Sequence, residues 1–149
     1  MSSLVCTCIN GRKLVGIASE ESGKSVLKKV RDAGMKVGLA LKPKTPLSAA
    51  LVYLEAGLVD MLLIMTVEPG FGGQSFMSDM MPKVKEAREL YPTLDIQVDG
   101  GLAPNTIDEA AQSGANVIVA GSAVYGAKNP EGVIEYLRNA VTKAQQRTY

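Results

Sequence analysis

The sequence predicts an α/β fold built on a parallel sheet with helical crossovers. Short apolar runs of strand length recur along the chain, amphipathic helical stretches separate them, and glycine closes several of those stretches. Parallel neighbours need a crossover of a dozen residues or more, and a helix of this kind supplies it.

Taken in order, SVLKKVRDAG sets Val26, Leu27, Val30 and Ala33 on one stripe and stops at Gly34, as a left-handed cap requires. MKVGLAL (35–41) follows as a strand, nearly continuous in apolar residues, which is the pattern of a strand covered on both faces. TPLSAALVYLEAG opens with Thr45 and Pro46 as cap and first turn and closes at Gly57. VDMLLIM (59–65) is the next strand, and MSDMMPKVKEARELYP (77–92) a helix striped through Met81, Val84, Ala87 and Leu90 or Tyr91. LDIQV (94–98) and ANVIVA (115–120) are strands flanking the helix NTIDEAAQSG, which ends at Gly114. The last helix, NPEGVIEYLRNAV, begins with Asn129 as cap and Pro130 at its first position.

Composition narrows the function. With 149 residues, 46% of them hydrophobic, the chain is long enough for one soluble domain with a real core. Its 16 basic and 15 acidic residues are interspersed, so no nucleic-acid partner is implied. No stretch approaches the roughly 20 apolar residues of a membrane span. The opening MSSLVCTCINGRK lacks a basic region ahead of a long apolar run, so a cytoplasmic location is expected. Cys6 and Cys8 are too few to bind zinc and too close for a disulfide framework, and read as ordinary thiols. There is no histidine, which removes the commonest metal ligand and general base.

Ligands of parallel sheets bind at the carboxyl ends of the strands. Three of those ends are rich in glycine: Thr66-Val67-Glu68-Pro69-Gly70-Phe71-Gly72-Gly73, Asp99-Gly100-Gly101 and Gly121-Ser122. Convergent amides with no side chains in the way make an anion cradle, and three such loops at one edge point to a phosphate. The alternative, that each glycine serves a tight turn, stays open for any single loop. Asp99 follows an apolar strand at the same edge. Its carboxylate is either a general acid/base beside the phosphate or a cap for the next helix.

A competing motif is ASEESGKS, Ala18 to Ser25, a relaxed phosphate-binding loop of the form A-x-x-x-x-G-K-S. In a nucleotide hydrolase Lys24 would reach the terminal phosphates, Ser25 would bind magnesium and Asp99 would complete the metal site. Glu20 and Glu21 argue against it, because they put two carboxylates where a polyphosphate must lie.

The segments MKVGLALKPKTPL, MLLIMTVEPGFGGQSF, LDIQVDGGLAPNTI and GANVIVAGSAVY together resemble the ribulose-phosphate 3-epimerase family, in register from about Ser25 to about Ala140. The resemblance implies a (β/α)₈ TIM barrel and the interconversion of D-ribulose 5-phosphate and D-xylulose 5-phosphate in the pentose phosphate pathway. It implies that the amides of Gly70, Phe71, Gly72 and Gly73, of Gly100 and Gly101, and of Gly121 and Ser122 bind the sugar phosphate. It also implies that Asp99 is one of two acid/base aspartates and a ligand of a divalent zinc, iron or manganese ion. Met65 either covers the reacting carbons or packs in the core.

Four confident strand–helix units fall short of a whole barrel, which takes roughly 200 residues or more. The expectation is an incomplete barrel of four to five βα units: residues 1–24 a divergent segment, residues 25–149 the second half of a ribulose-phosphate-binding barrel. Such a chain reads as a truncated product, of the kind alternative splicing leaves. The family's second aspartate, two metal-binding histidines and a substrate-binding serine belong to the first half, and VGIASEES stands where a strand ending in His-x-Glu is expected. Slow or absent turnover follows, with the metal not held by this chain alone. Open barrel edges lead to a homo-oligomer or to other association. The remaining alternatives are a non-catalytic phosphate-binding half barrel and the nucleotide hydrolase.

Overall fold

A computed structural model describes residues 8–9, 12–15, 20–70 and 74–146 of the chain. Among them, six strands form one sheet in the order of the sequence: β1 (Cys8–Ile9), β2 (Arg12–Val15), β3 (Lys36–Leu41), β4 (Met61–Met65), β5 (Asp95–Asp99) and β6 (Val117–Val119). From β2 to β6 every pairing is parallel, while β1 turns back against β2 as an antiparallel edge. The crossovers are α1 (Glu20–Asp32), α2 (Ser48–Leu54), α3 (Met81–Leu90) and α4 (Ile107–Gln112). A short α5 (Ser122–Tyr125) and a long α6 (Pro130–Gln146) follow β6. Five βα units in unbroken order make a partial (β/α) barrel.

Both faces of the central strands are covered, as their continuous apolar runs require. On the helix side, Val37, Leu39 and Leu41 of β3, Leu62 and Ile64 of β4, and Ile96 and Val98 of β5 pack against Leu27, Ala50, Val84 and Ala110 from four helices. At about 2 kcal/mol for each large aliphatic side chain removed from water, this layer is the main source of stability. A second cluster joins Ile107 and Ala111 of α4 to Leu137 and Val141 of α6. On the inner face, Met61 and Leu63 pack with Ala40, Met65 and Val117. Gln97 shares that face and is 1% exposed, its Nε2 without a partner among the described residues.

Polar staples fix the amino edge of the sheet. Arg88 Nε donates to the Gly114 carbonyl at 3.0 Å, and its Nη1 to those of Pro92 and Leu94, both at 2.8 Å. Its Nη2 reaches Asn116 Oδ1 at 3.0 Å, and that same oxygen accepts from the Ile96 amide at 2.7 Å. Asp60 accepts from the Val37 amide at 2.7 Å and from Arg31 Nη2 at 3.2 Å. Contacts of this kind at the foot of a barrel serve stability, and they leave the opposite edge open to chemistry.

The helix boundaries match the sequence reading at α6 and depart from it at α2 and α1. Asn129 caps α6 as expected, its Oδ1 accepting from the Gly132 amide at 3.1 Å. Thr45 does not cap α2, which starts at Ser48 with Leu47 in the cap position. The Lys83 ammonium explains this: it takes up the carbonyls of Pro43 (2.7 Å) and Thr45 (2.8 Å) and holds that stretch as a separate turn. The other departure is α1, which reaches back to Glu20 and across the 24/25 boundary. Gly23, Lys24 and Ser25 therefore lie inside a helix, where a phosphate-binding loop should be. The start of the proposed motif, Ala18 and Ser19, falls outside the described residues.

Candidate functional site

Asp99 ends β5 and sits between Met65 on β4 and Val119 on β6, its partners in register. It does not cap α4, because Thr106 holds that position. The Thr106 hydroxyl instead accepts from the Ala103 amide at 2.9 Å and donates to the Gly101 carbonyl at 3.0 Å. Burial pushes the Asp99 carboxyl above the usual carboxylate range. A carboxyl that is half-buried at the carboxyl edge, with its protonated form favoured, is suited to taking and returning protons.

Thr66, fully buried, ties the loop after β4 to this position. Its amide donates to the Asp99 carbonyl at 2.9 Å and its hydroxyl to the Gly100 carbonyl at 2.7 Å. The Met77 amide then closes the base of that loop on the Thr66 carbonyl at 2.9 Å, and Gln74 Nε2 bridges to the Glu68 carbonyl at 2.6 Å. Sequence reasoning misses the part Thr66 plays. Its one signal is a polar residue directly after five apolar ones.

The glycines at this edge divide into two kinds. Gly100 has φ +123°, and a Cβ there would lie 2.4 Å from Val67 Cγ2; Gly101 has φ +69°, with a Cβ 2.5 Å from the Phe76 nitrogen. These two are required by the turn and its packing. Around Gly70 and Gly121 nothing lies within 4 Å of an added Cβ. Open space beside an ordinary backbone is the mark of a place kept clear for an approaching group. Ser122 opens α5 immediately after Gly121. Phe71, Gly72 and Gly73 lie outside the described residues.

The residues at hand do not fit a metal site. Asp99 offers one carboxylate, and among the described residues no three His, Cys, Asp or Glu side chains are grouped to hold an ion. A divalent cation on hard oxygen ligands needs more donors than that.

Residues 13–125 match the model of the ribulose-phosphate 3 epimerase family. The chain belongs to this family of epimerases. It is 54% identical over 126 residues to the ribulose-phosphate 3-epimerase of Schizosaccharomyces pombe, covering 85% of this chain and 54% of that one. It is 47% identical over 131 residues to the cytoplasmic isoform of Oryza sativa subsp. japonica, covering 87% of this chain and 58% of that one. The chain thus spans about half the length of the curated relatives it matches. Among solved structures, 3-hexulose-6-phosphate synthase from Salmonella typhimurium superposes with a TM-score of 0.66 at 22% identity, over 90% of this chain and 63% of that one. KGPDC from Streptococcus mutans, solved with a sugar phosphate bound, gives 0.68 at 17% identity, over 90% and 62%. At these identities the likeness is one of fold, and it agrees with a partial barrel. No described helix is long and apolar enough to cross a membrane.

Proposed function

We propose that this chain carries one proton-transferring face of a ribulose-phosphate 3-epimerase site. D-ribulose 5-phosphate binds with its phosphate at the amides of Gly70 to Gly73, Gly100, Gly101, Gly121 and Ser122, in the cytoplasm. The supporting observation is the position of Asp99: half-buried at the carboxyl edge, with its carboxyl raised by burial, beside backbone kept clear at Gly70 and Gly121. A neighbour of the same fold was solved with a sugar phosphate bound, which agrees with that ligand class.

Asp99 acts on the carbon beside the ketone. Its carboxylate removes the proton, the C–H electron pair becomes a C=C bond, and the carbonyl π pair moves onto oxygen to give an enediolate. Return of a proton to the opposite face inverts the carbon and restores the ketone. One carboxylate cannot serve both faces, and the resemblance assigns the second aspartate to the half of the barrel that this chain does not span. Turnover by the chain alone is therefore slow or absent. A divalent metal would stabilise the enediolate in the family, but the described donors do not hold one and no step here depends on it. The test pairs a coupled epimerase assay with calorimetric binding of ribulose 5-phosphate, for the unmodified chain and Asp99→Asn. Absence of sugar-phosphate binding by the unmodified chain would sink the reading.

A second reading, association of two copies without catalysis, has its own support. Among the described strands β6 pairs only with β5, so one of its edges is open. Beside it runs a groove of about 400 Å³ whose lining includes Ile118, Val124, Ile134, Leu137 and Val141. An open strand edge next to an apolar groove favours pairing with a second copy. Light scattering on the purified chain decides it, and a monomer at all concentrations would rule it out.

A further inference from the structure

Parallel register places four residues in one row at the carboxyl edge. Leu41 pairs with Ile64, so Lys42, the next residue, stands level with Met65; Met65 pairs with Asp99, and Asp99 with Val119. Alternation along β3 puts Gly38, Ala40 and then Lys42 on the inner face, the face of Met65 and Asp99. Lys42 and Asp99 thus flank Met65, two strand spacings or about 10 Å apart along the sheet. A lysine side chain and a small substrate fit into that span.

Of the three lysines near this edge, two have partners. Lys83 is bound to loop carbonyls, and Lys44 faces Glu68 at 3.8 Å. Lys42 is half-buried, and its side chain makes no ion pair among the described residues. Its backbone is nonetheless fixed, since its carbonyl accepts from the Thr45 amide at 3.0 Å. A cation without an ion-pair partner among the described residues, positioned by a rigid turn and set in the row of the acid/base carboxyl, is placed to meet an anion.

We propose that Lys42 is a further substrate-contacting residue, whose ammonium binds the carbonyl oxygen of a ketose phosphate on the far side of Met65 from Asp99. This rests on the reading of Asp99 and the glycine edge given above. With the phosphate at the ends of β5 and β6 and the reacting carbon at Asp99, the remaining carbons extend over Met65 toward β3. The ketone oxygen then approaches Lys42. As Asp99 takes the proton and the π pair moves onto that oxygen, the ammonium meets the developing charge where little water competes.

The experiment measures binding of ribulose 5-phosphate and, separately, of inorganic phosphate to the unmodified chain, Lys42→Met and Lys42→Arg. Loss of a charged hydrogen bond weakens binding roughly tenfold or more. The expected result is that loss for ribulose 5-phosphate with Lys42→Met, unchanged affinity for inorganic phosphate, and partial recovery with Lys42→Arg. An equal loss for both ligands would overturn the assignment, because Lys42 would then serve the phosphate. Unchanged binding of both would overturn it as well. If the unmodified chain binds neither, the epimerase-site reading itself fails and this one falls with it.

Discussion

The hydroxyl of Thr66 donates to the carbonyl of Gly100 at 2.7 Å, so the loop after β4 and the turn after Asp99 move as one piece. Thr66→Val keeps the shape and leaves that carbonyl short of its donor. The expected cost is about 1–2 kcal/mol of stability, read by urea denaturation, together with weaker phosphate binding. Unchanged stability would mean that the backbone bond from the Thr66 amide suffices alone.

Gly100 and Gly121 should respond to alanine in opposite ways. Gly100→Ala forces a Cβ into Val67 at a positive φ and is expected to destabilise by about 2 kcal/mol or more. Gly121→Ala meets open space, so the melting temperature should hold while affinity for inorganic phosphate falls. A calorimetric titration beside a thermal melt separates the two effects, and a Gly121→Ala protein that binds phosphate normally would remove that loop from the cradle.

Asp99→Asn is expected to abolish whatever epimerase turnover the chain supports, without unfolding it. Its carboxylate accepts no hydrogen bond from the described residues, so the amide replaces it without breaking a contact. Retained turnover in the coupled assay would assign the proton transfer to another group.

The same substitution predicts a pH signature. Burial raises the Asp99 carboxyl in the folded state, so the folded chain holds its proton to higher pH than the unfolded chain does. Stability from this group is present below the ordinary carboxylate range and is lost as pH climbs through the raised value. Asp99→Asn should therefore melt above the unmodified chain at neutral pH, and the gain should shrink on acidification. A constant difference across pH would argue against burial as the cause.

Much of this was legible in the sequence, and the gaps have physical reasons. MLLIM and LDIQV announced buried strands because covering both faces leaves no polar alternation. RKLV did not, since four residues of mixed character become a strand only through pairing with β3, and that pairing is a property of register. The glycine-rich ends located the site's edge. They could not tell Gly100 and Gly101, held by φ and by the proximity of Val67 and Phe76, from Gly70 and Gly121, which border empty space. Thr45 looked like a helix cap until Lys83, distant in sequence, took up its carbonyl. The row of Lys42, Met65 and Asp99 is likewise invisible without the strand pairings.

The Arg88–Asn116 staple at the amino edge has a consequence for how such a chain can be altered. Because that network anchors α3, β5 and the turn into β6 from below, residues at the opposite rim contribute little to holding the fold. A library randomised at Lys42, Gly70 and Gly121 should thus yield mostly folded members, whereas one randomised at Arg88 and Asn116 should yield few. New specificity could be selected at the rim while the foundation stays untouched.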